Sequence, residues 1–138
     1  MKTGIVIAGA AACIAGSVVL AAPALSDGPV FKGTFLFVSE DGSTNTWVVT
    51  PCGTACARVV SDSSQVDADA QLMNGQWTFT YIHPTGWACD DGTDAPATRR
   101  VAVDAVTLHG TVAQGPDNVC GEIDVVDEPF TFTLNQIG

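Results

Sequence analysis

From Phe31 to the C-terminus, apolar and polar residues alternate in short runs, and no run repeats its apolar positions at the spacing of a helix. Phe31, Gly33, Phe35 and Phe37 share one parity, with Lys32 and Thr34 on the other. A turn, Glu40-Asp41-Gly42-Ser43, leads to Thr46–Thr50, in which Trp47 and Val49 point together. Ala57–Ser61 follows a Cys pair, and a polar loop begins at Asp62-Ser63-Ser64. Val66–Met73 and Gln76–His83 then alternate on either side of Asn74-Gly75. That dipeptide predicts a tight hairpin, because a type I′ turn needs φ > 0 at both central positions. Pro84–Ala97 reads as a long irregular stretch carrying Trp87 and Cys89. Further strands are expected at about Arg99–Val106 and Leu108–Ala113, then Cys120–Val126 and finally Pro129–Leu134.

The pattern predicts an all-β domain of about eight antiparallel strands. Such a set must close into a barrel or fold as a two-sheet sandwich to manage its edges. Mostly sequential hairpins favour a small up-and-down barrel. The β-sandwich is the alternative, since Cys52 and Cys120 offer a bridge between two sheets.

The N-terminus follows a different rule. Lys2 is a short positive region, Gly4–Leu20 is almost unbroken apolar, and Ala22-Pro23-Ala24 supplies an A-x-A cleavage site. Ala24-Leu25-Ser26 is a neighbouring site. Residues 1–24 are expected to be a cleaved secretory signal peptide, leaving 25–138 as one disulfide-stapled β domain. A retained anchor would need roughly 17 or more apolar residues, but the run is rich in Ala and Gly and has no basic flank. Cys13 follows Ala10-Ala11-Ala12, which lacks the large aliphatic residue of a lipobox.

Cleavage changes the charge and the cysteine count. The full chain has five Lys plus Arg against fifteen Asp plus Glu, a formal charge of −10. Losing residues 1–24 removes Lys2 and no acid, so the charge becomes −11. So acidic a chain is not expected to bind nucleic acid or anionic lipid, because phosphate contacts need clustered Lys and Arg. No stable membrane span is expected after cleavage. Five cysteines become four, Cys52, Cys56, Cys89 and Cys120, the even count of a secreted disulfide protein.

Those four do not suit zinc, which favours two closely spaced pairs, whereas Cys89 and Cys120 stand 31 apart. The C-x₃-C spacing of Cys52 and Cys56, with no βαβ setting, is not a redox motif either. The two do suit a staple between strand ends, where facing Cα atoms lie ~5.5 Å apart. Three pairings are open, and Cys52–Cys56 with Cys89–Cys120 is the preferred set.

No nucleophile elbow, zinc-protease motif or Cys/His nucleophile arrangement occurs. The two histidines, His83 and His109, lie apart, and Asp104 is near His109 only in sequence. No enzyme activity, catalytic residue, metal or cofactor is therefore expected. Cys89-Asp90-Asp91-Gly92-Thr93-Asp94 crowds carboxylates as calcium loops do, but without the ligand order of an EF-hand, and reads as an acidic solvated turn. Asp124–Glu128 reads as a charged edge that discourages aggregation. Phe35, Phe37, Trp47, Trp77, Phe79, Tyr81, Phe130 and Phe132 share parity within their runs, enough to fill a small barrel or to line a ligand cavity.

The elements TWVVTPCGTACARV, AQLMNGQWTFT, CDDGT and VDAVTLHGTV together resemble a group of small secreted mycobacterial and actinobacterial proteins. Their shared features are a Trp before Cys-x₃-Cys, an Asn-Gly-x-Trp hairpin and a later Cys-x-Asp-Gly, covering about Gly33 to Val112 here. The group has no assigned activity. The resemblance implies export to the cell envelope or medium and carries over no catalytic residue. The expectation is thus a secreted, non-enzymatic binding or interaction protein whose partner is another protein or a small apolar ligand. Its protein-contact form would use the 84–97 stretch. Its alternative form is a small-barrel carrier in which Trp77, Phe79 and Tyr81 line the cavity and Trp87 stands at the mouth.

Overall fold

The computed structural model describes residues 30–63 and 65–138. Among the described residues ten strands are formed: β1 Gly33–Ser39, β2 Thr44–Gly53, β3 Cys56–Ser61, β4 Asp67–Met73, β5 Gln76–Ala88, β6 Asp94–Asp104, β7 His109–Gln114, β8 Asp117–Val119, β9 Glu122–Val125 and β10 Phe130–Gln136. Eight of them close an antiparallel barrel in the order β1-β10-β7-β6-β5-β4-β3-β2, and β8 and β9 pair separately as a small hairpin. The fold is the up-and-down barrel and not the sandwich. Strands β1 to β7 each pair with the next, and β10 completes the wall between β7 and β1. Closure gives each of these eight strands a neighbour on both sides, although β4 and β5 pair only over Gln71–Met73 and Gln76–Thr78. Phe31–Gly138 form one compact unit. The signal segment expected at 1–24, with Cys13 inside it, lies outside the described residues.

The Asn-Gly turn forms as the sequence predicts. Asn74 and Gly75 adopt φ of 52° and 78°, and Met73 faces Gln76 across the first rung. Two other segments depart from expectation. Residues 84–97 are not irregular: β5 runs on to Ala88 and β6 begins at Asp94, forming a two-stranded extension beyond the barrel. The ladder breaks only between His83 and Trp87, then resumes with Trp87 opposite Ala95. Pro84, which has no N–H, and Gly86 sit inside that bulge, and Pro96 lies on the facing strand, so the break falls where ladder donors are missing. Residues 120–126 are not a barrel strand. They turn at Cys120-Gly121 and form β9 of the separate hairpin.

Alternation assigns one parity of every barrel strand to the interior, where Phe35, Trp47, Val59, Ala70, Trp77, Val103, Val112 and Phe132 are all buried. The rings interdigitate: Phe37 stacks on Phe132 at 4.5 Å between centroids and on Trp47 at 5.3 Å, while Phe79 meets Trp47 edge-on at 5.8 Å. Gly110 makes room for this cluster, since a Cβ there would lie 2.2 Å from the Phe132 ring. One end of the barrel is sealed by Phe31, which packs on Phe35 and Trp77 at 5.2 and 5.6 Å. The Asn74-Gly75 turn and the β2–β3 turn also lie at that end.

Both preferred disulfides are present, Cys52–Cys56 and Cys89–Cys120, with Cα separations of 5.1 and 5.4 Å. The first staples the β2–β3 turn at the sealed end. The second joins the tip of the β5–β6 extension to the β8–β9 hairpin, rather than pinning a loop onto the barrel wall. Asp117 of β8 reinforces this junction by accepting the Trp87 indole N–H at 2.9 Å, the Thr98 backbone N–H at 2.9 Å and the Thr98 hydroxyl at 2.8 Å.

Candidate functional site

The end opposite Phe31 is open. A cavity of about 410 Å³ occupies it, reached between the β1–β2 turn, the β3–β4 loop and the start of β10. Its deeper surface comes from interior positions of four strands, Phe37, Trp47, Val101 and Val112. Phe130 and Tyr81 form part of the wall, and the rim is polar, with Ser39, Ser43, Asn45, Ser61, Ser63 and Gln65. The mouth of a barrel is a usual place for a small-molecule pocket, here with an apolar floor under a largely polar rim, and the volume lies within the usual range of ~300–1,000 Å³.

The strand period explains this division. Moving out along five of the eight barrel strands, the interior parity passes from apolar to polar: Phe37 to Ser39, Trp47 to Asn45, Val59 to Ser61, Val101 to Arg99, and Val112 to Gln114. On these strands the apolar core thus ends one layer before the strand does.

Arg99 is the one cation lining this cavity. Its Nε donates to Gln114 Oε1 at 2.7 Å, its Nη1 reaches the Tyr81 hydroxyl at 3.4 Å, and its guanidinium lies 5.9 Å from the Phe130 centroid. Gln114 is itself buried and donates its Nε2 to the Gly86 carbonyl at 2.9 Å, tying Arg99 to the bulge of β5. Gly86 permits this approach, because a Cβ there would lie 2.3 Å from Ala97 Cβ and 3.1 Å from Gln114 Oε1. Across the mouth on β2, the buried Oδ1 of Asn45 has no hydrogen-bond partner among the described residues. His83 continues the interior parity of Tyr81 above Arg99, and its Nδ1 accepts the Thr85 N–H at 3.2 Å. Burial and then the Arg99 charge hold its imidazole below the ordinary value of 6.5, so it is neutral beside the guanidinium at pH 7.

The rim carboxylates are engaged locally. Glu40 accepts the Thr131 backbone N–H and hydroxyl, and Asp41 accepts the Ser43 hydroxyl and N–H, which hold it below the usual carboxylate range. Asp91 does the same with Thr93 in the acidic turn of the extension.

The structure divides the residues singled out from sequence. Tyr81 lines the cavity. Trp77 and Phe79 lie deeper, buried in the filled core against Phe31 and Trp47. Trp87 is on β5, half-buried and bonded to Asp117, and does not line the cavity. His109 is exposed near the sealed end, far along β7 from the open mouth. Cys52, Cys56 and Asp69 bring their ligand atoms within 4.8 Å of one another, but both cysteines are consumed in their disulfide. Sequence reasoning missed Arg99, Asn45 and Gln114. Among the described residues no helix is long and apolar enough to cross a membrane. No protein-family model, curated protein or solved structure matches the chain.

Proposed function

We propose that this protein is an exported binding module without chemistry of its own, and that the open end of its barrel holds a small, largely apolar ligand. The observation that carries this reading is the asymmetry of the interior. One end is packed with rings and capped by Phe31, whereas the other keeps about 410 Å³ of space over an aromatic floor. A barrel selected only for stability would gain from filling that layer, since empty apolar space forfeits packing contacts. Export is supported by two disulfides, which are compatible with an oxidising, extracellular setting. The absence of chemistry is supported by the placement of His83 and His109 toward opposite ends of the barrel.

The test is a fluorescence titration of the folded, oxidised protein with N-phenyl-1-naphthylamine, a neutral apolar dye. Saturable enhancement at one dye per chain is expected. A linear, unsaturated response up to the solubility limit overturns the reading.

A further inference from the structure

We infer that the ligand carries an oxyanion, a carboxylate or its equivalent, which pairs with Arg99 at the cavity wall while the apolar body lies on Phe37 and Trp47. This inference rests on the binding reading above and specifies its ligand class.

Cations are scarce in this chain. Among the described residues there are four, Lys32, Arg58, Arg99 and Arg100. Arg58 is paired on the outer wall with Asp67 and Asp69. Arg100 has the opposite parity to Arg99 and donates to the Gly115 carbonyl. Arg99 alone points inward, in a protein with three times as many acids as bases. Turning a charge into a barrel carries a desolvation penalty unless something answers it. What answers it here is neutral: one amide oxygen, one phenol and one ring face. No carboxylate forms an ion pair with Arg99 among the described residues.

The geometry holds the guanidinium instead of neutralising it. A guanidinium has five N–H donors in a rigid plane. Two are engaged, by Gln114 and Tyr81. Three are left, on the terminal nitrogens that meet a carboxylate in a two-pronged pair. Gln114 is fixed from behind by Gly86, so the plane is oriented before any ligand arrives. His83 adds no competing charge, being neutral at pH 7, and the nearest rim acids, Glu40 and Asp41, are held by Thr131 and Ser43.

The second unmet demand lies across the barrel. β2 and β6 are four strands apart in an eight-strand ring, so Asn45 and Arg99 stand on opposite walls. Asn45 also lines the cavity, although its Oδ1 is itself buried, with no donor among the described residues.

The experiment compares two dyes that differ by one group. 8-Anilinonaphthalene-1-sulfonate has the body of N-phenyl-1-naphthylamine plus a sulfonate. The wild-type protein is expected to bind the sulfonated dye about tenfold or more tighter, the increment of a charge-assisted hydrogen-bonded contact. Arg99→Gln should abolish this preference, read as the ratio of the two dye affinities in the same variant. Arg99→Lys should restore part of it, and Arg100→Gln, one residue away but facing out, should leave it intact. Circular dichroism of each variant confirms the fold. If wild type binds both dyes equally, or if Arg99→Gln keeps the preference, the anion assignment is wrong and the binding reading stands. If neither dye binds, the binding reading fails and the assignment falls with it.

Discussion

Asp117 receives the indole N–H of Trp87 at 2.9 Å, although the two residues lie thirty positions apart in the chain. The same carboxylate holds the backbone and hydroxyl of Thr98, so one side chain fastens the β8–β9 hairpin to both strands of the extension. Asp117→Ala leaves three donors without their acceptor and should lower stability by about 1–3 kcal/mol, read as a drop in the urea midpoint. An unchanged midpoint would mean that water replaces the carboxylate without loss. Desolvation raises the Asp117 pKa, but the bonds from Trp87 and Thr98 outweigh it and the net shift is downward. A lowered carboxylate stabilises the fold above its unfolded pKa, and that contribution fades as pH falls through the folded value. Asp117→Ala should therefore lose less stability on acidification than wild type.

His83 offers a test with a resolved sign. Its pKa is drawn below 6.5 first by burial and then by Arg99. A histidine with a depressed folded pKa binds fewer protons when folded, so its contribution to stability is complete above 6.5 and is lost as pH falls through the lowered value. NMR titration of the His83 ring should give a midpoint below 6.5, and Arg99→Gln should move it upward. A midpoint at or above 6.5 in the native protein would contradict the placement of this ring beside the guanidinium.

The two disulfides should differ in weight. Cys52–Cys56 closes a loop with a sequence separation of 4, and Cys89–Cys120 one of 31. On loop entropy the bridges contribute ~2 and ~3.5–4 kcal/mol respectively. The double variant Cys89→Ala with Cys120→Ala should thus unfold at lower urea than Cys52→Ala with Cys56→Ala. The reverse order would show that the β8–β9 hairpin remains tied to the extension in the unfolded chain or matters little to the barrel.

Much of the wall was legible because strand parity is a strong signal. The faces of Phe35 and Phe37, of Trp47 and Val49, and of Trp77 and Phe79 all turned inward, and Asn74-Gly75 turned where expected. The extension was not legible, because Pro84, Gly86 and Pro96 read as strand breakers, whereas they gather at a single bulge within a continuing ladder. The site was legible only in part. Tyr81 was found through its aromatic parity, but Arg99, Asn45 and Gln114 were not singled out, because polarity alone does not mark an interior position. Their parity held the missed signal: Arg99 is in step with Ala97, Val101 and Val103, Asn45 with Trp47 and Val49, and Gln114 with Gly110 and Val112. A polar residue at an interior position of the outermost layer marks the mouth of a barrel. Trp87 pointed the other way. Its loop-like context suggested a place at the mouth, and its indole N–H instead found Asp117.

The central claim is that the open end of the barrel, and not its outer wall or sealed end, is where a ligand sits. The most direct measurement is a titration of ¹⁵N-labelled protein with N-phenyl-1-naphthylamine, followed by amide shifts. The account predicts saturable changes at Ser39, Asn45, Ser61, Tyr81, Arg99 and Phe130, with little movement at Phe31 or around Asn74-Gly75. Shifts centred on the sealed end, or scattered over the outer faces of the strands, would contradict it.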